Sequence, residues 1–384
     1  MTSGKVVAAA ATVGLLWSAP ASALPTMIRL GYPNCAACHV SPQGGGLLNS
    51  YGRAIDEAQS LRSAEYRPSE NRLVTLLSAR GVIQQDLRAV FVQQRTWASH
   101  TPATATFRPR LMYRNVTTVR RDVRVSATVT GQTEFLPRPS LAYDPPARPS
   151  TIDLSTALVH YRPFEALEVA AGRDQLPTGI NMPDLGVFVR SRNRTGYHDA
   201  PLQVKAFVGD GRFQVMPFGY VPAGNEPAGD RESGAGTLAE LDLFGKGTTV
   251  VGLSLVRGAS DNGTRQVTGG YARVGFGRWG VLLEHDLTDR TRESKMPDPG
   301  SFRQHTSYVQ VFWAVHEWLV LSMTGERLQV APPFLERLSA GKLELTARLT
   351  NQASIGVAAR AQRDHVADTS DRALMVQVAV KTAQ

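Results

Sequence analysis

The only two cysteines of the chain stand three positions apart and directly before a histidine, in the run Cys35-Ala36-Ala37-Cys38-His39. Cys-x-x-Cys-His is the attachment signature of a c-type haem. In such a site both thiols form thioethers with vinyl groups on one edge of the porphyrin, and the imidazole of the next residue coordinates the iron. The sequence therefore predicts one haem c, held covalently by Cys35 and Cys38, with His39 as an axial ligand of the iron.

Other interpretations of Cys35 and Cys38 stay open at this point. A disulfide is the usual state of two cysteines in an oxidising compartment. A redox dithiol belongs in a βαβ pattern of the thioredoxin type, which the sequence lacks. A zinc site needs two further ligands, and there is no second Cys-x-x-Cys. A match by chance is the last alternative. Export and the absence of any other cysteine favour haem.

The N-terminal residues predict export. The apolar run Val6–Trp17 is shorter than the ~20 residues of a membrane-spanning helix, and Ala21-Ser22-Ala23 suits cleavage of a signal peptide. We expect residues 1–23 to be the signal peptide. An exported chain with a formal charge of +9 argues against nucleic acid as a partner. The charge instead favours a cationic interior that attracts anions, or a cationic face towards lipopolysaccharide.

Residues 24–85 predict a small α-helical cytochrome c-like module. Apolar spacing indicates one helix between Leu47 and Tyr66 and a shorter one from Ser69 to about Arg80. A module of about sixty residues seldom buries a sufficient core alone, so its haem needs cover from elsewhere. No histidine or methionine lies between Val40 and Asp86, so the sixth ligand is unknown. The iron is five-coordinate, or its ligand is Met27 or one of the scattered histidines His100, His160, His198, His285, His305, His316 and His365.

From Asp86 onward, apolar residues recur at every second position. In 122–134, for example, Val123, Val125 and Val129 alternate with polar side chains. Such alternation predicts strands with one apolar and one polar face. Sixteen segments follow this pattern: about 87–97, 107–118, 122–134, 152–161, 166–173, 201–209, 212–221, 237–244, 248–257, 266–276, 279–288, 304–315, 318–329, 340–350, 353–363 and 372–381.

Tight and long connections alternate between these segments. Gly277–Arg278 is a tight connection, whereas 174–200 is the longest one. An even strand number with this alternation is typical of outer-membrane barrels, whose short turns are periplasmic. A soluble all-β protein is the alternative, but no fixed blade period is present. We therefore predict an all-β fold, an antiparallel transmembrane barrel of about 16 strands over residues 86–384, although its last segment lacks the usual terminal aromatic residue.

Two N-terminal elements resemble a known family. The N-terminal cytochrome of fused outer-membrane monohaem cytochrome–porins is similar to two elements of this sequence, Cys35–His39 and Leu48-Asn49-Ser50-Tyr51-Gly52-Arg53. In addition, residues 172–179 look like a strand-to-loop passage in porins. Specific residues match only at about 34–53, while the order of signal peptide, haem module and barrel is similar throughout. The resemblance implies electron transfer across the outer membrane, and the best-known members oxidise extracellular ferrous iron. The insertion Gly44–Gly46 is not assigned to that branch, so a sister group with another donor is an alternative.

The physical chemistry of the two parts leads to the same function. A lumen of sixteen strands is wide enough for an aqueous channel, and a haem module that needs cover fits inside it. We expect electrons to pass through this haem between an extracellular donor, with Fe(II) as a candidate, and a periplasmic carrier such as a soluble cytochrome c. Whether the chain is an oxidoreductase in the enzymatic sense is left open. The alternatives are a transport porin with a gating or structural haem segment, and a soluble periplasmic cytochrome with an all-β domain.

Charged residues outside the haem motif suggest further sites. Arg108, Arg110 and Arg114 share one face of a strand and predict an anion-selective lining, partners for haem propionates, or a solvated wall. Carboxylates in the long loops suit a transient cation such as ferrous iron, although solubility is their commoner role. These acids are Asp184, Asp199, Glu226, Asp230, Glu232, Asp261, Asp289 and Glu293.

Overall fold

A computed structural model of the chain describes most of the predicted barrel. The described residues are Gly52, Ile55 and the ranges 83–99, 101–120, 122–132, 151–164, 166–181, 187–196, 200–209, 212–224, 231–293, 299–350 and 352–381. Gly52 and Ile55 are helical. Cys35, Cys38 and His39 lie outside the described residues, as do the signal peptide and the rest of the module, so the haem site stays a prediction.

Sixteen strands and one short helix make up the described elements. The strands are β1 Ile83–Ala98, β2 Thr101–Arg120, β3 Val123–Gln132, β4 Thr151–Phe164, β5 Leu167–Arg173, β6 Leu202–Gly209, β7 Phe213–Val221, β8 Ser233–Asp242, β9 Thr249–Ser260, β10 Gly263–Phe276, β11 Trp279–Arg292, β12 Gly300–His316, β13 Leu319–Val330, β14 Glu336–Thr350, β15 Ala353–Asp364 and β16 Thr369–Lys381. Helix α1 is Phe188–Ser191. Among the described helical residues, none belongs to a helix long and apolar enough to cross a membrane.

The strands form one closed antiparallel barrel in which each strand pairs with its neighbours in sequence. β1 closes the barrel against β16, with Phe91 opposite Val378. Every segment predicted from alternation overlaps one strand, so the predicted all-β fold and the strand count of sixteen are confirmed. β1 begins at Ile83, a few residues before the predicted boundary at Asp86.

The outward face of the barrel is apolar. Val125, Leu253 and Met323 are exposed on it, whereas the residues beside them in sequence point inward. Trp279 and Trp313 stack on this face next to a tight turn, with ring centroids 5.4 Å apart. An apolar cylinder with aromatic residues at its margin is stable in lipid and not in water. The protein is therefore an integral outer-membrane barrel.

The connections follow the predicted alternation in part, because four of those at the loop end are shorter than the turn between β8 and β9. The tight turns, such as the one between β10 and β11, lie at one end, and the longest loops lie at the other. The shortest connections at the loop end are those between β1 and β2 and between β9 and β10, which are as short as the shortest turns. Those between β13 and β14 and between β15 and β16 are slightly longer. At the two shortest connections the strands continue as hairpins, helped by β-branched residues such as Thr101, Thr104 and Thr106, which favour extended backbone. Most of the described residues that were predicted as loop between β1 and β2 and between β9 and β10 are strand, whereas Ser99, Asp261 and Asn262 form turns.

Gly172 is expected to be essential for assembly of the barrel. Its φ is +135°, and a Cβ at this position would lie 2.0 Å from the carbonyl oxygen of Ala157 on β4. We expect Gly172→Ala to destabilise the barrel by more than about 2 kcal/mol, because it combines a disfavoured backbone conformation with a backbone clash. Thermal unfolding followed by circular dichroism measures the effect. Gly219→Ala is the control, since its nearest atom would be 3.9 Å away; equal unfolding temperatures for both variants would contradict the prediction.

Candidate functional site

The connection between β5 and β6 folds into the barrel. We call residues 174–200 the inward loop; most of its described side chains are buried. The two strand ends hold its base together, because the Asp174 N–H donates to the carbonyl of Pro201 at 3.2 Å. Lys205 on β6 binds the Asp174 carboxylate at 2.6 Å. Gln203 donates to the Asp174 carbonyl, also at 2.6 Å. These bonds turn the chain towards the lumen at the point where β5 ends.

Apolar side chains fix the inward loop to one wall of the barrel. Ile180 and Val189 pack in a buried cluster with Leu282 and Phe312 of the wall. Phe188 of α1 packs in a second cluster that includes Phe302. Burying such side chains contributes roughly 1.5–3 kcal/mol each. The loop is therefore part of the folded core along the strands between β6 and β14.

A buried ion pair joins the inward loop to β11. Arg190 of α1 lies 3.0 Å from Glu284, and both side chains are almost fully buried. The Glu284 carboxylate also accepts the backbone N–H of Ile180 at 2.9 Å. Arg190 donates to the hydroxyl of Thr178 at 3.0 Å. One carboxylate thus holds two separate parts of the loop, which makes it the central polar anchor.

Asn193 forms a second polar anchor in which its side-chain amide is fully hydrogen-bonded. Its Nδ2 donates to Asp286 at 2.7 Å and to Thr306 at 3.1 Å. Its Oδ1 accepts from Thr288 at 2.9 Å and from Gln304 at 2.8 Å. A buried amide with four partners has no unsatisfied group to favour another conformation. Together with the ion pair of Arg192 and Glu336 at 2.7 Å, it fixes the end of α1.

Glu232 illustrates the electrostatics at the loop end of this wall. Its carboxylate accepts from the hydroxyl of Tyr220 at 2.6 Å and pairs with Arg265 at 2.5 Å. Burial alone would raise the pKa of Glu232, but Arg265 and Tyr220 hold this pKa below its ordinary value. Glu232 is therefore not the solvated loop acid that the sequence suggests, either for solubility or for binding a cation, because it is buried and paired with Arg265.

The opposite wall of the lumen is rich in cations. We call the inward-facing side chains of β1–β5 and β14–β16 the basic wall. Arg88 and Lys381 stand directly opposite each other on β1 and β16. Arg114 lies 3.6 Å from Asp86, and Arg124 lies 2.7 Å from Glu168. Among the described residues, the cations of the basic wall include Arg88, Arg110, Arg114, Arg124, Lys342, Arg348, Arg360 and Lys381. A lumen wall with many cations attracts anions through its summed charge, so this wall favours an anion nearby.

One histidine belongs to the basic wall. His160 of β4 is buried, and its Nδ1 lies 2.9 Å from the carboxylate of Glu168. Its Nε2 lies 2.8 Å from the hydroxyl of Ser126. Because a carboxylate only accepts hydrogen bonds, Nδ1 carries the proton that is shared with Glu168. Both ring nitrogens of His160 are thus engaged within the wall.

The structure separates the other residues that the sequence singled out. Arg110 and Arg114 share the inward face of β2, as predicted; nothing is described of the Arg108 side chain. His285 and His305 lie on the outward face, His316 ends β12, and His365 lies in the turn after β15. Asp289 faces outward and pairs with Arg303 at 2.8 Å. Asp261 and Glu293 lie in connections, whereas His100, His198, Asp184, Asp199, Glu226 and Asp230 lie outside the described residues.

No metal centre joins these residues in the part of the chain that the structure describes. There, no group of three or more His, Cys, Asp or Glu side chains is placed to hold a metal ion. The predicted binding of a cation by loop acids thus has no such group to support it within the described ranges. The sixth ligand of a haem at His39 stays unassigned.

Sequence reasoning missed the inward loop and its anchors. The alternation of strands predicts 174–200 as an outer connection. Its apolar residues Ile180 and Val187–Val189 were the available signal, because a solvated loop seldom carries such residues together. The partners of those residues are on strands about a hundred positions away, and no local pattern marks them.

Several solved structures of bacterial proteins share this architecture. OmpT, an outer membrane protein of Vibrio cholerae, has a TM-score of 0.57 at 10% identity, with 78% of this chain and 98% of that chain covered. An anion-selective porin from Comamonas acidovorans has the same TM-score and identity, with 78% and 100% covered. OprB of Pseudomonas putida has a TM-score of 0.58 at 10% identity, with 78% and 94% covered. No protein-family model and no curated protein matches the chain. At this identity the similarity establishes the fold alone.

Proposed function

We propose that the protein transfers electrons across the outer membrane through one haem c bound to Cys35 and Cys38, with His39 as axial ligand. When bound, the haem supplies a one-electron Fe(II)/Fe(III) couple. The barrel supplies a channel through an insulating membrane. An extracellular reductant, with Fe(II) as a candidate, is the donor, and a periplasmic carrier such as a soluble cytochrome c is the acceptor. In this role the protein is an oxidoreductase.

The asymmetry of the lumen is the observation that carries this proposal. The inward loop packs against one wall, and the opposite basic wall includes β1, the strand that follows the predicted haem module in sequence. β1 begins at Ile83, paired with Thr117 near the tight turn after β2, so the module joins the barrel at the short-turn end. Short turns are periplasmic in this class of barrel. The module therefore joins on the side where an exported electron carrier would be found.

The basic wall also has the chemistry that a haem module would need. A haem carries two propionate carboxylates, and guanidinium and ammonium groups form strong, charge-assisted hydrogen bonds with carboxylates. Arg88 and Lys381 provide two cations at directly opposite positions of β1 and β16. Arg88 and Lys381 therefore match the haem propionates in charge and as hydrogen-bond donors.

Reconstitution into vesicles tests the proposal. We expect vesicles that contain the purified holoprotein and enclose oxidised cytochrome c to reduce it when ferrous citrate is added outside. A donor series that includes ascorbate tests whether the external donor is iron. Vesicles without protein are the control. Absence of reduction with every donor, in protein whose haem stain is positive, would contradict electron transfer.

A transport porin is the second candidate, and the inward loop with the basic wall favours it. A loop folded into the lumen narrows a channel, and a cationic wall attracts anions. The similar structure from Comamonas acidovorans is described as an anion-selective porin. Swelling of the same vesicles in small anionic solutes distinguishes the two: an electron conduit reduces the enclosed cytochrome with little swelling, whereas a porin swells without reducing it.

A further inference from the structure

A polar row crosses the outward face of the barrel from β10 to β16. Its members are joined by strand pairing, so they lie at corresponding positions on adjacent strands. Arg327 and Arg363 are its charged members, and both are exposed. In strand order from β10 to β16, the row consists of Gly270, His285, Ser307, Arg327, Ser339, Arg363 and Ser370. It lies on the loop side of the apolar face, where the protein surface changes from lipid-facing to polar.

A groove lies directly beside this row on the apolar side. A second row of outward residues runs parallel to the polar row, one outward position closer to the short turns. In this second row Leu283 pairs with Val309, Val309 with Gly325, and Gly325 with Gly341. Because these glycines have no side chains, the surface is recessed between its neighbours. The groove has a volume of about 680 Å³, and Arg327 is among the residues that line it. An apolar recess that ends at a cation is shaped for a chain with an anionic head.

Three arginines surround Ser339 at the head of the groove. Arg327 and Arg363 are its partners on the two adjacent strands, and Arg337 is the next outward residue on the same strand. Strand spacing places the backbones of Arg327 and Arg363 roughly 10 Å apart. Arg363 has a carboxylate partner, Asp368, at 2.9 Å. Within the described residues, no carboxylate pairs with Arg327 or Arg337.

We propose that this surface binds a phosphate-bearing lipid of the outer leaflet, of the lipopolysaccharide type, with an acyl chain in the groove and a phosphate between Arg327 and Arg337. Guanidinium groups match phosphate oxygens in geometry and charge. The long-loop end of such barrels faces outward from the cell, which places the arginines at the headgroup level of that leaflet. The site is independent of haem and of the lumen, so it stands whether or not the protein carries electrons.

Lipid binding to the purified full-length protein tests this site. We expect diphosphoryl lipid A, added to protein in a neutral detergent, to bind in native mass spectrometry and to raise the unfolding temperature. The variant Arg327→Gln/Arg337→Gln should bind about tenfold or more weakly, because each charge-assisted hydrogen bond to phosphate is lost. Arg257→Gln/Arg278→Gln removes the same charge away from the groove and should bind as the unchanged protein does.

Any of four results would overturn the proposal. The first is equal lipid A binding by both double variants. The second is an equal rise in unfolding temperature with inorganic phosphate alone, which would make the acyl chain irrelevant. The third is a changed oligomeric state of Arg327→Gln/Arg337→Gln, with lipid binding unaffected; the surface would then be a contact with a second copy. Gly325→Leu, which fills the groove but keeps the arginines, should also weaken binding, and normal binding by this variant would exclude the groove.

Discussion

Serine in place of Cys35 and Cys38 will abolish covalent haem attachment and, with it, electron transfer into vesicles. Thioether bonds require both thiols, and the motif supplies the only two in the chain. We expect the unchanged mature protein to carry the mass of one haem and the double variant to carry none. Mass spectrometry of the mature chain and a haem stain of the purified outer membrane measure this directly.

The barrel should survive this change, which makes the result specific. The strands lie between Ile83 and Lys381 and include neither cysteine, so heat-dependent migration of the folded barrel in gels should persist. His316→Gln is the matched control, because it removes a histidine at the end of β12 and should leave the haem content unchanged. A mature chain without haem, lighter by two hydrogens because of a disulfide, would sink the haem assignment and leave the transport porin as the better function.

The strands could be predicted from sequence because the barrel has two different solvents. Lipid outside and a polar lumen inside impose an alternation of period two along every strand, and Val123, Val125 and Val129 show it without any knowledge of their neighbours. Strand ends were less predictable. Thr101–Thr106 continue β2 into a hairpin beyond the apolar face, where no lipid imposes the pattern.

The candidate site also has one part that could be predicted from the sequence and one part that could not. Arg110 and Arg114 could be placed inside because their strand alternates. The inward loop could not be placed, since its position depends on packing between distant residues: Val189 against Leu282, and Arg190 against Glu284. The environment of Glu232 could not be predicted for a related reason. The sequence shows that the residue is acidic, but it does not show that Arg265 of β10 pairs with its carboxylate.

Loss of the Arg190–Glu284 pair is expected to have the largest effect on stability and on the channel. Arg190→Met leaves the Glu284 carboxylate buried with the Ile180 N–H as its remaining partner in the inward loop. Removing one member of a buried pair costs about 3–5 kcal/mol. Because the pair is the central anchor of the loop, the loop should detach from β11 and the lumen should widen. Thermal unfolding and single-channel conductance in planar bilayers measure the two effects.

The cost arises from an uncompensated charge, so removing the second charge should restore stability. Arg190→Met/Glu284→Leu is expected to recover most of the unfolding temperature, since well-packed apolar residues often replace a buried pair without loss. Arg303→Gln is the control: it breaks an exposed pair with Asp289 on the outward face, where such a pair contributes about 1 kcal/mol or less. Equal losses for Arg190→Met and Arg303→Gln, or unchanged conductance after a large loss of stability, would show that the loop does not depend on Glu284 for its position.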